Sequence, residues 1–424
     1  MIECGHFSHK GEQALRAKPQ SEQGRSGFFY GYVIVGLAFI IMFVLWGAFY
    51  AFGIFFKPIL KEFGWTRAMT AGAFSLCSIV QGLLGIALGG LTDKFGARLV
   101  MTLCGLLLGL GYLLMSQLSV IWQLYLFYGA IVGAGMGGSF TPLMSTVTRW
   151  FVRRRSTMTG IVAAGTGFGA LIAPPVVSRL VSSYGWRVSY VILGGIILGV
   201  VVLCAQFIRR DPVQMGQVAY GDDGERGKVL NEDFKGLSLK EAAYTRQFWI
   251  VFGVLFSLGF CVFAIMVHIA PHATEIGIST TSAANILAAI GGASILGKVL
   301  LGKTADRIGN RQTFIIGFIL MLAALLMVLP TQGELMLYLF AVVYGFGFGG
   351  CIASESPIVA ELFGLSSHGL ILGVISFSFL LGGAFGPFLF GLIFDITGSY
   401  QWGFLACGLV SFFGLILTAI LRRR

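Results

Sequence analysis

Charge is what this chain has least of. Asp, Glu, Lys and Arg make up only 11% of its 424 residues. Water-soluble domains carry roughly 25%, so composition alone points away from a soluble globular fold. No G-x-x-x-x-G-K-[ST] phosphate loop occurs, which leaves ATP-driven work without support. No nucleophile–base constellation stands clear of the apolar segments, so neither an enzyme nor a cofactor is expected. The seven cysteines (Cys4, Cys77, Cys104, Cys204, Cys261, Cys351 and Cys407) show no metal-ligand spacing. All but Cys4 lie in apolar segments and read as buried free thiols, and no metal site is expected. Residues 1–27 are polar and precede an apolar run far longer than a signal-peptide core, so no cleavable leader is expected.

What the chain does have is apolar length. The apolar fraction is 56% and the mean hydropathy +0.86. A membrane span needs about 20 mostly apolar residues. Breaks at charge and Gly/Pro clusters predict spans near 29–56, 69–92, 98–116, 121–148, 156–180 and 187–208, then 247–271, 281–302, 312–330, 335–361, 369–393 and 401–421. The expected fold is all-α, with twelve transmembrane helices in two six-helix halves. The division is a tail over 1–28, a first half over 29–208, a linker over 209–246, a second half over 247–421 and a basic tail over 422–424. The 61 glycines are spread through the spans, where they permit close helix approach.

The net charge of +11 reflects topology. With the N-terminus inside, Lys57, Lys61, Arg67, Arg179 and Arg187 fall outside, Lys298 falls within a span, and every other Lys and Arg is cytoplasmic. That is the positive-inside asymmetry, and no nucleic-acid partner is expected. Both termini are expected in the cytoplasm, in a plasma (inner) membrane.

A ten-residue phrase occurs twice. Gly89-Gly90-Leu91-Thr92-Asp93-Lys94-Phe95-Gly96-Ala97-Arg98 returns as Gly302-Lys303-Thr304-Ala305-Asp306-Arg307-Ile308-Gly309-Asn310-Arg311. Both read G-x-x-x-D-[KR]-x-G-x-[KR]. Other landmarks repeat at nearly the same offset: Tyr128 with Tyr344, Pro142 with Pro357, and Trp186 with Trp402. Parallel duplication of this kind places a binding site between the halves. An Asp at the end of a span can accept from the first amides of a facing helix. Asp93, Lys94, Arg98, Asp306, Arg307 and Arg311 are therefore candidates for a conformational latch.

The repeated phrase resembles the loop signature of the major facilitator superfamily. Within it, Trp150-Phe151-Val152-Arg153-Arg154-Arg155 followed by Gly160-Ile161-Val162-Ala163-Ala164-Gly165 is similar to the fifth-span signature of the monocarboxylate porters. Gly53-Ile54-Phe55-Phe56-Lys57 with Phe63-Gly64-Trp65-Thr66-Arg67 is similar to their first outer loop and that of bacterial oxalate–formate relatives. Glu361-Leu362-Phe363-Gly364, Gly386-Pro387 and Asp395-Ile396-Thr397-Gly398 continue the likeness. The resemblance implies a secondary transporter of a small organic anion working by alternating access, and, by analogy, a monomer.

In that family an Arg of the eighth span binds the substrate carboxylate. Here Lys298 stands at that point, a cation without the bidentate fork. An acid one turn earlier in the family is Ser294 here, and Tyr50 takes the place of a first-span cation. Ionisable groups within spans are functional candidates by default. Glu355 is the candidate proton carrier, with Lys298 as its partner, and His268 is a further candidate for proton entry. Tyr128, Tyr344, Asn285, Ser294 and Tyr50 are candidate substrate donors. Snorkelling of Lys298 to the headgroups and a structural role for Glu355 are the plain alternatives. Proton symport of a monocarboxylate is the preferred reading. Anion exchange, export of a neutral solute or drug, and a non-transporting sensor on the same scaffold remain open.

Overall fold

The computed structural model describes residues 29–65, 67–221, 236–329 and 333–421. The expected tails over 1–28 and 422–424, and residues 222–235 of the linker, lie outside the described residues. Helices run α1 Gly31–Tyr50, α2 Phe52–Phe63, α3 Arg67–Phe95, α4 Ala97–Met115, α5 Ile121–Leu124, α6 Gly133–Gly137, α7 Thr141–Trp150 and α8 Arg155–Phe207. After the linker come α9 Leu239–Ala243, α10 Arg246–Glu275, α11 Thr280–Ile308, α12 Asn310–Val328, α13 Glu334–Phe363, α14 His368–Thr397 and α15 Tyr400–Ile420.

Among the described residues, ten helices are long and apolar enough to cross a membrane. Twelve crossings result because one long helix holds two of the expected spans and another expected span is broken into short pieces. At 53 residues, α8 is about 80 Å of chain, far longer than a bilayer core of about 30 Å. Gly185, at φ +79°, turns the chain back and divides α8 into two spans. That backbone favours glycine because it has no Cβ to clash. The fourth span is broken: α5 passes into a π-helical stretch at Tyr125–Val132, then α6, then α7 after a kink near Pro142. The first predicted span also ends early. Ala51 separates α1 from α2, which carries on to Phe63.

The repeated phrase forms the same structure twice. α3 and α4 are joined at Gly96, φ +84°, and α11 and α12 at Gly309, φ +98°. Each half buries its own apolar interior, and the halves meet along two seams, α3 against α14 and the first part of α8 against α11. Close approach at the seams depends on missing Cβ atoms. A Cβ on Gly89 would strike the Gly369 carbonyl, and one on Gly160 would strike that of Lys298.

The described parts of the linker lie against the end of the bundle that carries the charged loops. Tyr220 exchanges backbone hydrogen bonds with the 150–153 segment, donating to the Trp150 carbonyl at 2.9 Å. The Leu237 amide donates to the Phe363 carbonyl at 2.9 Å. Ser238 and Glu241 then cap α9 reciprocally. The backbone amide and hydroxyl of Ser238 hold the exposed Glu241 carboxyl below its ordinary range.

Candidate functional site

The inter-half hydrogen bonds among the described residues cluster at the charged end. Asp93, at the end of α3, accepts from the Gly369 and Leu370 amides that start α14, at 3.0 and 2.9 Å. Asp306, at the end of α11, accepts from the Ser156 and Thr157 amides that start α8, at 2.8 and 2.9 Å, and from the Thr157 hydroxyl. Each carboxylate thus caps a helix N-terminus of the other half, where free amides and the dipole favour negative charge. Lys94, Arg98, Arg307 and Arg311, the four basic latch candidates, do not join this capping. Arg98 donates to Gln206 within its half at 2.8 Å, and Arg311 to the Thr418 and Ala419 carbonyls within the other. Lys94 lies over the Phe95 ring, and Arg307 lines an open cavity.

Three residues that the motif did not single out complete the seam. Arg149 bonds Asp93 at 2.9 Å and the Leu365 carbonyl of the other half at 2.6 Å. Asn310 accepts from Ser156 at 2.7 Å and donates to Glu361 at 2.8 Å. His368 places Nε2 3.1 Å from the Ser356 carbonyl and Nδ1 3.2 Å from Ser145 Oγ across the seam. A carbonyl only accepts, so Nε2 carries the proton and Nδ1 accepts from Ser145. Arg149 adjoins the Trp150-Phe151 signature in sequence, and His368 follows a turn. Neither position carries a periodic signal that would have marked it.

Lys298 sits deeper in the same seam. It lies eight residues before Asp306, about 12 Å along the helix axis, and is only 5% exposed. Its ammonium crosses to the first half and donates to Thr166 Oγ1 at 3.0 Å. Among the described residues no carboxylate lies within 4 Å of it. A cation at span depth costs about 2.5–3.5 kcal/mol, and one hydroxyl uses only one of its three donors.

Glu355 is 2% exposed and accepts from Ser376 of α14 at 2.5 Å. It does not pair with Lys298. Lys298 packs along the Gly349 and Ala353 side of α13, and residues two apart on a helix point to different faces. The two groups therefore share a depth and face different neighbours.

The remaining candidates are dispersed. Ser294, one turn from Lys298, turns its hydroxyl back to the Gly291 carbonyl at 2.7 Å. Asn285 is exposed, about 20 Å along α11 from Lys298. Tyr50 is exposed at the far end of α1, packed on Trp46 and Phe49. Tyr128 lies in the core of the first half against Phe52, with ring centroids 4.2 Å apart. Tyr344 lies in the core of the second, stacked on Phe340 at 5.3 Å. His268 is about 30 Å from the charged end by helix rise; it faces the Pro387 carbonyl at 3.0 Å and stacks on Phe390. Among the described residues no group of three His, Cys, Asp or Glu side chains is placed to hold a metal ion.

The family model described as Major Facilitator Superfamily matches residues 38–297 and 251–424. The chain belongs to the major facilitator superfamily. This facilitator is 27% identical over 419 residues to monocarboxylate transporter 12 of Mus musculus, covering 93% of the chain and 85% of that protein. It is 24% identical over 392 residues to the oxalate:formate antiporter of Oxalobacter formigenes, covering 90% and 89%. Among solved structures, the transporter FucP in the outward conformation aligns with a TM-score of 0.71 at 17% identity, over 92% of this chain and 99% of that one. The proton:xylose symporter XylE aligns with the same TM-score at 14% identity. This facilitator is a multi-pass membrane transporter, and its relatives are transporters rather than enzymes.

Proposed function

We propose that this facilitator carries a small organic anion, a monocarboxylate in the first instance, by alternating access with proton symport. The observation that carries the reading is Lys298, a buried ammonium at the junction of the halves with no carboxylate partner. An incoming carboxylate would supply the missing countercharge. Leaving the site would expose the lone cation again, so cargo and charge compensation travel together. The relatives named for monocarboxylate and for oxalate:formate transport support the cargo class.

In this reading Glu355 is the proton carrier and Lys298 the anion-binding cation, with Ser294 a turn away. Tyr50, Asn285 and His268 belong to the wider path, and Tyr128 and Tyr344 brace it from the cores of the two halves. Asp93 and Asp306 latch the charged end; Lys94, Arg98, Arg307 and Arg311 hold the two loops in place. The halves are residues 29–208 and 247–421, joined by a linker over 209–246. The protein works as a monomer in a plasma (inner) membrane with both termini cytoplasmic. The charged end then faces the cytoplasm, and this conformation is closed on that side.

The test is a thermal-shift screen of small carboxylates against neutral isosteres, on wild type and Lys298→Ala. A carboxylate that stabilises wild type and not the variant supports the assignment. Stabilisation only by neutral compounds, equal in both proteins, removes the anion reading. Glu355→Gln should abolish the dependence of uptake on a proton gradient while sparing exchange. Exchange of two anions is the second reading, favoured by the lack of an ion pair between Lys298 and Glu355. It is preferred if Glu355→Gln leaves all transport unchanged.

A further inference from the structure

A cavity of about 540 Å³ opens at the charged end, beside the latch and apart from Lys298. Arg153 and Arg154 line it from the first half, and Lys303 and Arg307 from the second. All four are exposed, and among the described residues none has a carboxylate within 4 Å. Among the described residues Asp306 is the one acid on the wall, and its oxygens are occupied by the Ser156 and Thr157 amides. Among the described residues, four cations thus face one engaged carboxylate.

The backbone is shaped around this concavity. Arg154 has φ +66°, alone among the described non-glycine residues, and its guanidinium lies over the Tyr220 ring at 5.5 Å. Left-handed backbone is uncommon outside glycine and draws attention to function when it is observed. Tyr220 itself is held by backbone bonds to the 150–153 segment. The rings of Phe29, Tyr32, Trp150 and Phe151 gather beside it. Aromatic clusters of this kind mark the headgroup level of a bilayer.

We propose that this cavity is a binding site for a phosphate-bearing anion, held jointly by both halves. Each guanidinium presents five donors in a planar fork. A carboxylate has only two oxygens to offer, too few for three guanidiniums and an ammonium. A phosphate group has more oxygens and the geometry for bidentate Arg contacts. Because the ligand would touch Arg153 on one half and Lys303 on the other, it binds the conformation in which the charged end is closed. It is therefore a regulatory ligand rather than the cargo. Free phosphate and a lipid phosphodiester share this chemistry.

Full-length protein in phosphate-free detergent buffer is titrated with inorganic phosphate, or with acetate at equal ionic strength, while thermal unfolding is followed. A parallel set is reconstituted in phosphatidylcholine bilayers with or without phosphatidylglycerol. Phosphate or phosphatidylglycerol should raise the midpoint of wild type, and acetate should not. A response to phosphate alone assigns a soluble ligand, and one to phosphatidylglycerol alone a lipid headgroup. Arg153→Gln and Lys303→Gln should each weaken the response about tenfold or more, and Lys240→Gln, on the linker helix, should not. These side chains are exposed, so folding is not at stake. Equal stabilisation by acetate, no stabilisation by any probe, or Arg153→Gln and Lys303→Gln responding like wild type overturns the site. Sensitivity to one half only overturns the bridging.

Discussion

Asp93 and Asp306 exchange roles across the two halves: each ends a helix of its own half and caps a helix of the other. Asp93 accepts from Gly369 and Leu370, and Asp306 from Ser156 and Thr157. Asp93→Asn and Asp306→Asn each replace a charged acceptor with a neutral one, for a loss of about 1–2 kcal/mol of inter-half coupling. The double variant should shift spin-label distances across the charged end toward separation. Unchanged distances in the double variant would show that these bonds do not govern closure.

Lys298→Met should separate stability from function. Removing a cation at span depth recovers about 2.5–3.5 kcal/mol, and the variant loses only the bond to Thr166. The unfolding midpoint should rise while carboxylate uptake disappears. A lower midpoint would mean that Lys298 is already neutralised by something within the fold.

Gly89→Ala and Gly160→Ala place a methyl against a carbonyl of the other half. Overpacking costs about 1–3 kcal/mol, felt only when the charged end is closed. Both should favour its opening, read as faster modification of a cysteine placed in the seam. Gly36→Ala is the control, with nothing within 4 Å of the added Cβ; helix propensity makes it neutral or slightly stabilising. Equal effects from all three would remove the packing argument.

Arg187 ties the far end of the first half together. It donates to the Ser116 and Leu118 carbonyls at 3.0 and 2.9 Å, pairs with Glu62 at 2.5 Å, and lies over the Trp186 ring at 4.3 Å. The pair is 40% and 42% exposed, so screening keeps its worth below about 1 kcal/mol. Arg187→Met should lower the unfolding midpoint modestly through the freed carbonyls, with little dependence on salt. A strongly salt-dependent loss would place the energy in the ion pair instead.

The candidate site was legible in its ingredients and not in its arrangement. Lys298 and Glu355 stood out because charge within a span is expensive wherever it falls. Their failure to pair follows from their facing different sides of α13, which hydropathy does not report. Tyr128 and Tyr344 are related by the repeat, and that relation places them in equivalent cores rather than in one shared site. His368, Arg149 and Thr166 were missed because their partners are on the other half and distant in sequence.

By itself the sequence determined the apolar spans, their duplication, and the charged turns at Gly96 and Gly309. Those are properties of single segments, set by transfer free energy and local backbone sterics. Only the tertiary structure decided that the fourth span breaks around its π-helical stretch. It also decided which residues bond the two halves at the charged end and that Lys298 meets Thr166 rather than an acid. Helices that are apolar nearly all round carry little information about which face meets which neighbour. That choice is made by small residues and a few polar contacts where two halves meet.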